Sequence, residues 1–374
     1  MPSKVLHICL SSGWGGLEMY PSRIIPELSR QGWQVHGLAL SGSRVASSLQ
    51  EAGIEPLTVA SRARALVEAM GILGYLKRHD IRVVHCHKSS DLRLGALLKT
   101  LRPGLRLFFT DHMGVTRPKK DLYHRWAYGK LTRLFSISEA TRERNLKAFP
   151  LPSERIHRLY LGIDPDPYLP VLDEAAREAL RAELGISQGA VAIGLPGRLT
   201  LGKGQQLWLE ALAVLRDRYP DRHFHGVIIG GTRADDGANV PYVETLEKLV
   251  VSLRLADCVS FAGFRRDLPR VFEALEIVCV PSRNEAFGLT VIEAMAAGKA
   301  VIGADSGAIP ELLTTRCGRL APPGDAGAWA EAMAELVADG ALRERLGREA
   351  CLVARNDFTL GAHVERLIAE YESA

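Results

Sequence analysis

At 374 residues, with 47% apolar and 24% charged side chains and a net charge of +4, the chain has room for about two domains, each with its own core. No run of about 18 apolar residues occurs, which argues against a membrane-spanning helix. The apolar stretch at residues 5–10 is too short for a signal peptide and reads as a buried strand.

The six cysteines are scattered without C-x-x-C spacing, the pattern of reduced thiols in a cytoplasmic protein. Charge is unevenly placed: residues 1–164 hold 25 Lys and Arg against 13 Asp and Glu, and the remainder 22 against 30. A basic half followed by an acidic half points to an anionic partner for the first, such as a phosphorylated acceptor or a lipid surface. Nucleic acid is disfavoured, because aromatic residues make up only 6% of the chain and offer few platforms for stacked bases.

In chain order, strands are expected at residues 5–10, 34–40, 83–86, 106–110 and 134–138, with helices at 17–31, 65–79 and 91–101 between them. This is the β-α-β rhythm of a doubly wound parallel sheet. A proline-rich stretch at 162–170 interrupts it. The rhythm restarts with strands at 191–195, 224–229, 259–261, 277–280 and 300–303 and a helix at 206–217. Two α/β domains are therefore expected, 1–165 and 166–355, with ligands held at the carboxyl ends of strands in a cleft. A last helical segment is expected at 356–374.

Four loops at expected strand ends carry chemistry. Gly13-Trp14-Gly15-Gly16-Leu17-Glu18 follows the first strand, and its glycines let backbone N–H groups approach a phosphate. It is not G-x-G-x-x-G, and the second strand ends in Leu40-Ser41-Gly42 without the acidic residue of a dinucleotide site; both argue against an oxidoreductase. In Gly197-Arg198-Leu199-Thr200-Leu201-Gly202-Lys203-Gly204, Arg198 offers a planar fork and Lys203 a point charge, a natural clamp for a diphosphate. Gly204 after the Gly-Lys pair, where a P-loop has Ser or Thr, sets that motif aside.

Glu285 and Glu293 stand eight residues apart around Phe287-Gly288 and a helix start at Leu289. A helix start suits a phosphate, and a carboxylate two turns away accepts hydrogen bonds from sugar hydroxyls. Thr110-Asp111-His112-Met113-Gly114 ends a strand of the first half and presents His112, a position suited to function. Two metal-like patterns are set aside. Asp164-Pro165-Asp166 lies in the linker, and His85-Cys86-His87 puts two imidazoles on one side of a strand with no third ligand evident.

In this order and over nearly the whole chain, the motifs resemble those of retaining glycosyltransferases with the GT-B fold, family 4 in particular. Glu285 to Glu293 resembles the E-x7-E signature, residues 197–204 the G-R-x(n)-K-G element, and residues 13–18 the G-G-x-E loop. Residues 305–311 look like the G-G-x-x-E loop, with Ser306 replacing the first Gly, and Leu161 stands where Asn usually precedes Gly-Ile-Asp. The resemblance implies two Rossmann-like domains facing across a cleft, an acceptor-binding first and a nucleotide-sugar-binding second. The C-terminal helix at 356–374 would cross back onto the first.

The implied donor is a UDP- or GDP-sugar. Gly15 and Gly16 would face its phosphates, and Arg198 and Lys203 would hold the diphosphate. The backbone at Phe264 would face the base, and Glu293 would hold the ribose. Glu285 would hold the donor sugar beside Phe287, Gly288 and Leu289, with His112 near that sugar and the acceptor. No metal or cofactor is expected, because fixed cations and helix N-termini meet the charge of the leaving group.

The acceptor expected is an anionic or lipid-linked glycan, as in lipopolysaccharide or other cell-surface polysaccharide assembly. The expected place is the cytoplasm, at the inner face of the membrane, where residues 117–130 mix cations with Tyr123, Trp126 and Tyr128, either as an interfacial segment does or as an ordinary helix flank whose aromatics enter the core. A sugar-nucleotide epimerase of the same fold and a non-catalytic sugar-nucleotide-binding protein are the alternatives.

Overall fold

The computed structural model describes residues 3–115 and 117–374. It divides into two compact units, Met1–Leu161 with Leu360–Ala374, and Gly162–Thr359. Among the described residues the first unit holds seven parallel strands: β1 Lys4–Cys9, β2 Gln34–Leu40, β3 Leu57–Val59, β4 Val83–Cys86, β5 Arg106–Asp111, β6 Arg133–Ser136 and β7 Ile156–Arg158. Their order is β3-β2-β1-β4-β5-β6-β7. The second unit holds six: β8 Val191–Pro196, β9 Phe224–Ile229, β10 Val259–Gly263, β11 Ile277–Val280, β12 Ala300–Ala304 and β13 Arg319–Ala321, in the order β10-β9-β8-β11-β12-β13.

Helices cover both faces of such sheets, so the strands are buried on both sides and read as continuous apolar runs. Val5–Cys9 and Phe224–Ile229 are buried throughout. In each sheet the chain builds outward from a central strand and then jumps to its other side, between β1 and β4 and between β8 and β11. At such a reversal the loops leaving two neighbouring strands diverge and open a crevice at their carboxyl ends.

The longer strands fall within one or two residues of the expected bounds. The three-residue strands β3, β7 and β13 are too short to show a period in the sequence. The helix expected at 65–79 is two helices, Arg62–Val67 and Ala69–Arg78, which share Glu68 as the cap between them. The segment expected as one helix at 356–374 is also divided. An 18-residue helix, Gly340–Asp357, ends there, and Ile163 N–H donates to Phe358 O at 2.9 Å while Ile163 bridges Thr359. A separate helix, Leu360–Glu372, then joins the first unit. No helix among the described residues is long and apolar enough to cross a membrane.

That last helix is tied to the first sheet by buried aromatic and polar contacts. The Tyr371 ring packs 4.9 Å from Phe108 and 5.3 Å from Trp33, and its hydroxyl meets His85 Nδ1 at 2.5 Å. Glu370 takes Arg133 at 2.7 Å and His157 at 2.9 Å. His363 Nδ1 donates to Tyr160 O at 2.6 Å; a carbonyl only accepts, so His363 Nε2 is left to accept from the Tyr20 hydroxyl at 2.7 Å.

These contacts belong to a buried histidine network: His7 Nδ1 and His87 Nε2 lie 2.9 Å apart, and His85 Nε2 lies 2.8 Å from Thr110 Oγ1. Burial lowers all five histidines, His7 and His112 to about 3, His363 to about 4, and His85 and His87 well below the usual value of 6.5. The network therefore folds neutral.

As pH falls below about 6.5 the unfolded chain takes up protons that the folded network refuses. Stability is fully present above that pH and is lost on the way down, at up to about 1.4 kcal/mol per pH unit for each histidine. Asp91 and Asp111 oppose this, because burial raises both, Asp91 to about 7. Their contribution is full at low pH and is lost as pH rises, and five histidines outweigh two carboxyls. The thermal midpoint should fall steadily from pH 6.5 to 4.5 with net proton uptake on unfolding. A flat or rising midpoint over that interval would contradict a neutral network.

Candidate functional site

The second sheet places two loops side by side at its reversal. Residues 197–204 leave β8 and run into the helix Gln205–Arg218. Residues 281–288 leave β11 and run into the helix Leu289–Ala296, with Gly288 as its N-cap. Arg283 N–H donates to Gly202 O at 3.0 Å and ties the loops together. A Cβ on Gly204 would stand 2.4 Å from Pro281 O, so only glycine lets the first loop lie against the second.

Between them, Lys203 Nζ donates to Glu285 Oε2 at 2.8 Å. The side chains of Lys203 and Glu285 are 32% and 22% exposed, so the pair is held by the fold yet open to a ligand. Arg198 is exposed on the same loop as Lys203. Its carbonyl accepts from Gln205 Nε2 at 2.9 Å, which pins the backbone, and among the described residues its guanidinium has no carboxylate partner.

Glu285 is fixed from a third loop. Gly307, at φ +64°, lies so close that a Cβ there would stand 2.5 Å from Glu285 O and 2.6 Å from Glu285 N. Ala308 N–H donates to Glu285 O at 2.9 Å, and Asn284 N–H to Ser306 Oγ at 3.2 Å. Ser306 and Gly307 are thus positioning residues for Glu285. Ser306 stands in place of the first glycine of the pair, and the second, Gly307, is the one that the close approach requires.

Glu293 is half-buried on the Leu289–Ala296 helix. The Phe287 ring is buried and packs 6.2 Å from Phe358. Phe264 follows β10 and is 55% exposed.

Gly15, Gly16 and His112 belong to the first unit. Gly15 caps the helix Gly16–Arg30. The loop before that helix folds onto Glu18, which accepts from Ser11 Oγ at 2.7 Å and faces Lys88 Nζ at 3.5 Å, while Lys88 donates to Ser11 Oγ at 2.9 Å. This Ser11–Glu18–Lys88 group was missed, since 77 residues separate Ser11 from Lys88. His112 does follow β5, but its ring is buried, 4.8 Å from the Tyr20 ring and 3.5 Å from His87. Burial keeps it neutral.

His85 and His87 do have a third histidine beside them. His7 on β1 joins them, with candidate ligand atoms within 4.8 Å of one another. Both His85 ring nitrogens already meet hydroxyl groups, and His87 meets His7. Only His7 Nε2 among these nitrogens is buried without a partner, so the cluster is built as a hydrogen-bonded network.

A family model described as glycosyl transferases group 1 matches residues 176–352, and one described as glycosyltransferase family 4 matches residues 14–167. The chain is 30% identical over 306 residues to the lipopolysaccharide core biosynthesis mannosyltransferase LpcC of Rhizobium leguminosarum bv. viciae, covering 79% of each protein. It is 38% identical over 214 residues to the D-inositol 3-phosphate glycosyltransferase of Corynebacterium jeikeium, covering 56% of this chain and 50% of that protein. The chain thus spans about half the length of the inositol-phosphate relatives it matches.

Among solved structures, a glycosyltransferase from Rickettsia africae superposes with TM-score 0.89 at 19% identity, covering 100% of this chain and 98% of that one. Anabaena Alr3699/HepE in complex with UDP superposes with TM-score 0.82 at 21% identity, covering 99% and 100%. The fold is GT-B.

Gly307→Ala should destabilise the chain by at least about 1–2 kcal/mol, from the left-handed backbone alone, as read from the midpoint of chemical denaturation. Ser306→Ala, which removes the hydrogen bond from Asn284 N–H and a longer one to Asn284 Oδ1 at 3.5 Å, should cost about 1 kcal/mol. A Gly307→Ala variant as stable as wild type would show that the close approach to Glu285 is not a constraint.

Proposed function

The chain belongs to the group 1 and family 4 glycosyltransferases, and from that membership we propose a retaining enzyme that moves a sugar from a UDP- or GDP-sugar to an anionic or lipid-linked glycan without a resident metal. The observation that carries this reading is the Lys203–Glu285 pair, held at 2.8 Å across the two loops of the second reversal. An ammonium group has three donors; one is committed to Glu285, and two are left for phosphate oxygens. Glu285 in turn keeps lone pairs for sugar hydroxyls.

Breaking the bond between sugar and diphosphate builds negative charge on the leaving group. Arg198, Lys203 and the N-termini of the helices Gln205–Arg218 and Leu289–Ala296 stabilise it, and groups fixed before reaction need no reorganisation. Glu293 takes the ribose and the main chain at Phe264 the base. His112, buried and neutral, serves as a hydrogen-bonding group rather than a charged acid. We assign retention to a front-face path: the acceptor oxygen bonds to the anomeric carbon from the side the diphosphate leaves, and the acceptor's proton passes to a leaving phosphate oxygen. LpcC, named as a lipopolysaccharide core biosynthesis mannosyltransferase, supports a glycan acceptor in cell-surface polysaccharide assembly.

Thermal stability against UDP, GDP, ADP and their sugar conjugates tests the donor site. One nucleotide family should raise the midpoint, with slow release of its diphosphate. No shift with any of them would remove the reading. Arg198→Ala or Lys203→Ala should lower turnover by about a hundredfold or more, as loss of one charge-stabilising contact does, and unchanged rates in both would sink the clamp.

The basic first half should also bring the protein down with anionic vesicles at low salt and release it at high salt. Failure to sediment at low salt would discard membrane contact.

A further inference from the structure

Three of the buried histidines form a line across the neighbouring strands β1, β4 and β5. His7 lies on β1, while His87 and His112 directly follow β4 and β5. His7 Nδ1 meets His87 Nε2 at 2.9 Å, and His87 Nδ1 meets His112 Nε2 across a longer 3.5 Å. The backbone holds the line in place: His87 N–H donates to Ile8 O at 3.1 Å, and the rings of His7 and His87 stack 5.1 Å apart with 14° between their planes. Tyr20 closes on His87 at 5.2 Å and on His112 at 4.8 Å.

Burial keeps all three rings neutral. A neutral imidazole has one N–H and one bare nitrogen, so each contact in the line needs an N–H facing a bare nitrogen. Two arrangements satisfy both contacts. In the first, every ring carries its proton on Nδ1 and donates towards His112; His7 Nε2 is then bare and His112 Nδ1 is an N–H. In the second, every ring carries its proton on Nε2 and donates back towards His7; His7 Nε2 is then an N–H and His112 Nδ1 is bare. The two ends of the line are always set oppositely, so the surroundings of one end decide what the other end offers.

Those surroundings differ. His7 Nε2 is buried without a partner. His112 is 8% exposed, and its Nδ1, which has no partner among the described residues, is the nitrogen left for a ligand. Buried N–H groups are left unpaired more rarely than buried acceptors. The first arrangement, which leaves only a lone pair unmet at His7, is therefore the favoured one.

We infer that His87, backed by His7, sets the tautomer of His112 so that its open Nδ1 is a fixed N–H donor to a substrate oxygen. His7 and His87 are then positioning residues that touch no substrate. The inference rests on the glycosyltransferase reading and deepens it: His112 recognises an oxygen that accepts a hydrogen bond. With the opposite tautomer a bare nitrogen would face that oxygen, and two lone pairs repel.

NMR of the full chain labelled with 15N at histidine tests this, because long-range 15N–1H correlations separate protonated from bare ring nitrogens. Near neutral pH, His7, His87 and His112 should all be protonated at Nδ1. His87→Phe keeps a ring and deletes both nitrogens; it should release His112 into a mixture of tautomers. His7→Phe should do so more weakly, acting through His87. Thermal melts verify folding, and the wild-type pattern decides on its own should a variant not fold. His112 protonated at Nε2 in the wild type, or unchanged in both folded variants, overturns the inference. In turnover of a nucleotide sugar, His87→Phe should lower kcat by about tenfold, the scale of one lost hydrogen bond, with the thermal shift given by the nucleotide unchanged. Turnover that His87→Phe leaves as it was removes the positioning role alone. The expected tautomers without turnover of any donor remove the transferase reading and leave the histidine line standing.

Discussion

Everything in the second unit that bears on chemistry depends on how closely three loops approach one another at one end of the sheet. Gly204 lies against Pro281, and Gly307 lies against the backbone of Glu285. At both contacts a side chain would overlap main-chain atoms, so the loops close only where the sequence has glycine. That closeness brings Lys203 to Glu285, though 82 residues separate them. The ion pair is thus a consequence of backbone packing rather than its cause. A partly exposed pair of this kind adds little to stability, and its value lies in holding a cation and a carboxylate in register at the mouth of the sheet.

The first unit solves a different problem. Its central strands carry histidines where a parallel sheet would ordinarily bury aliphatic side chains. Buried polar rings are tolerated only when hydrogen-bonded, and the network takes its partners from its own rings, from Thr110 and from the last helix of the chain. Tyr371 satisfies His85, and His363 reaches Tyr20 and Tyr160. The C-terminal helix therefore completes the first unit's polar interior as well as its core. The lone exception, His7 Nε2, is the one place in that ring cluster where a buried polar atom lacks a partner.

Both sheets reverse direction between their first strand and the strand that follows the third, and both place charged groups at that reversal. In the second unit they are Arg198, Lys203 and Glu285; in the first they are Glu18 and Lys88. The symmetry follows from the doubly wound topology, which leaves the carboxyl ends of two central strands uncovered. Long polar side chains there reach solvent while their backbones stay in the fold.

The order of strands and helices was legible in the sequence because buried parallel strands and amphipathic helices leave different apolar periods. Glu285, Arg198 and Lys203 were legible as candidates because glycine-rich loops at strand ends announce themselves. The strands β3, β7 and β13 were not, being too short for any period, nor was the break at Phe358 and Thr359, which is made by pairing with Ile163 some 195 residues away. His112 was found by its place after a strand, yet its burial among other rings was invisible. The sequence by itself determined which residues form strands, helices and glycine loops, since those are local preferences written in neighbouring residues. Only the tertiary structure decided which charges meet and which histidines stay neutral. Those depend on desolvation and distance between groups that the chain keeps far apart until it folds.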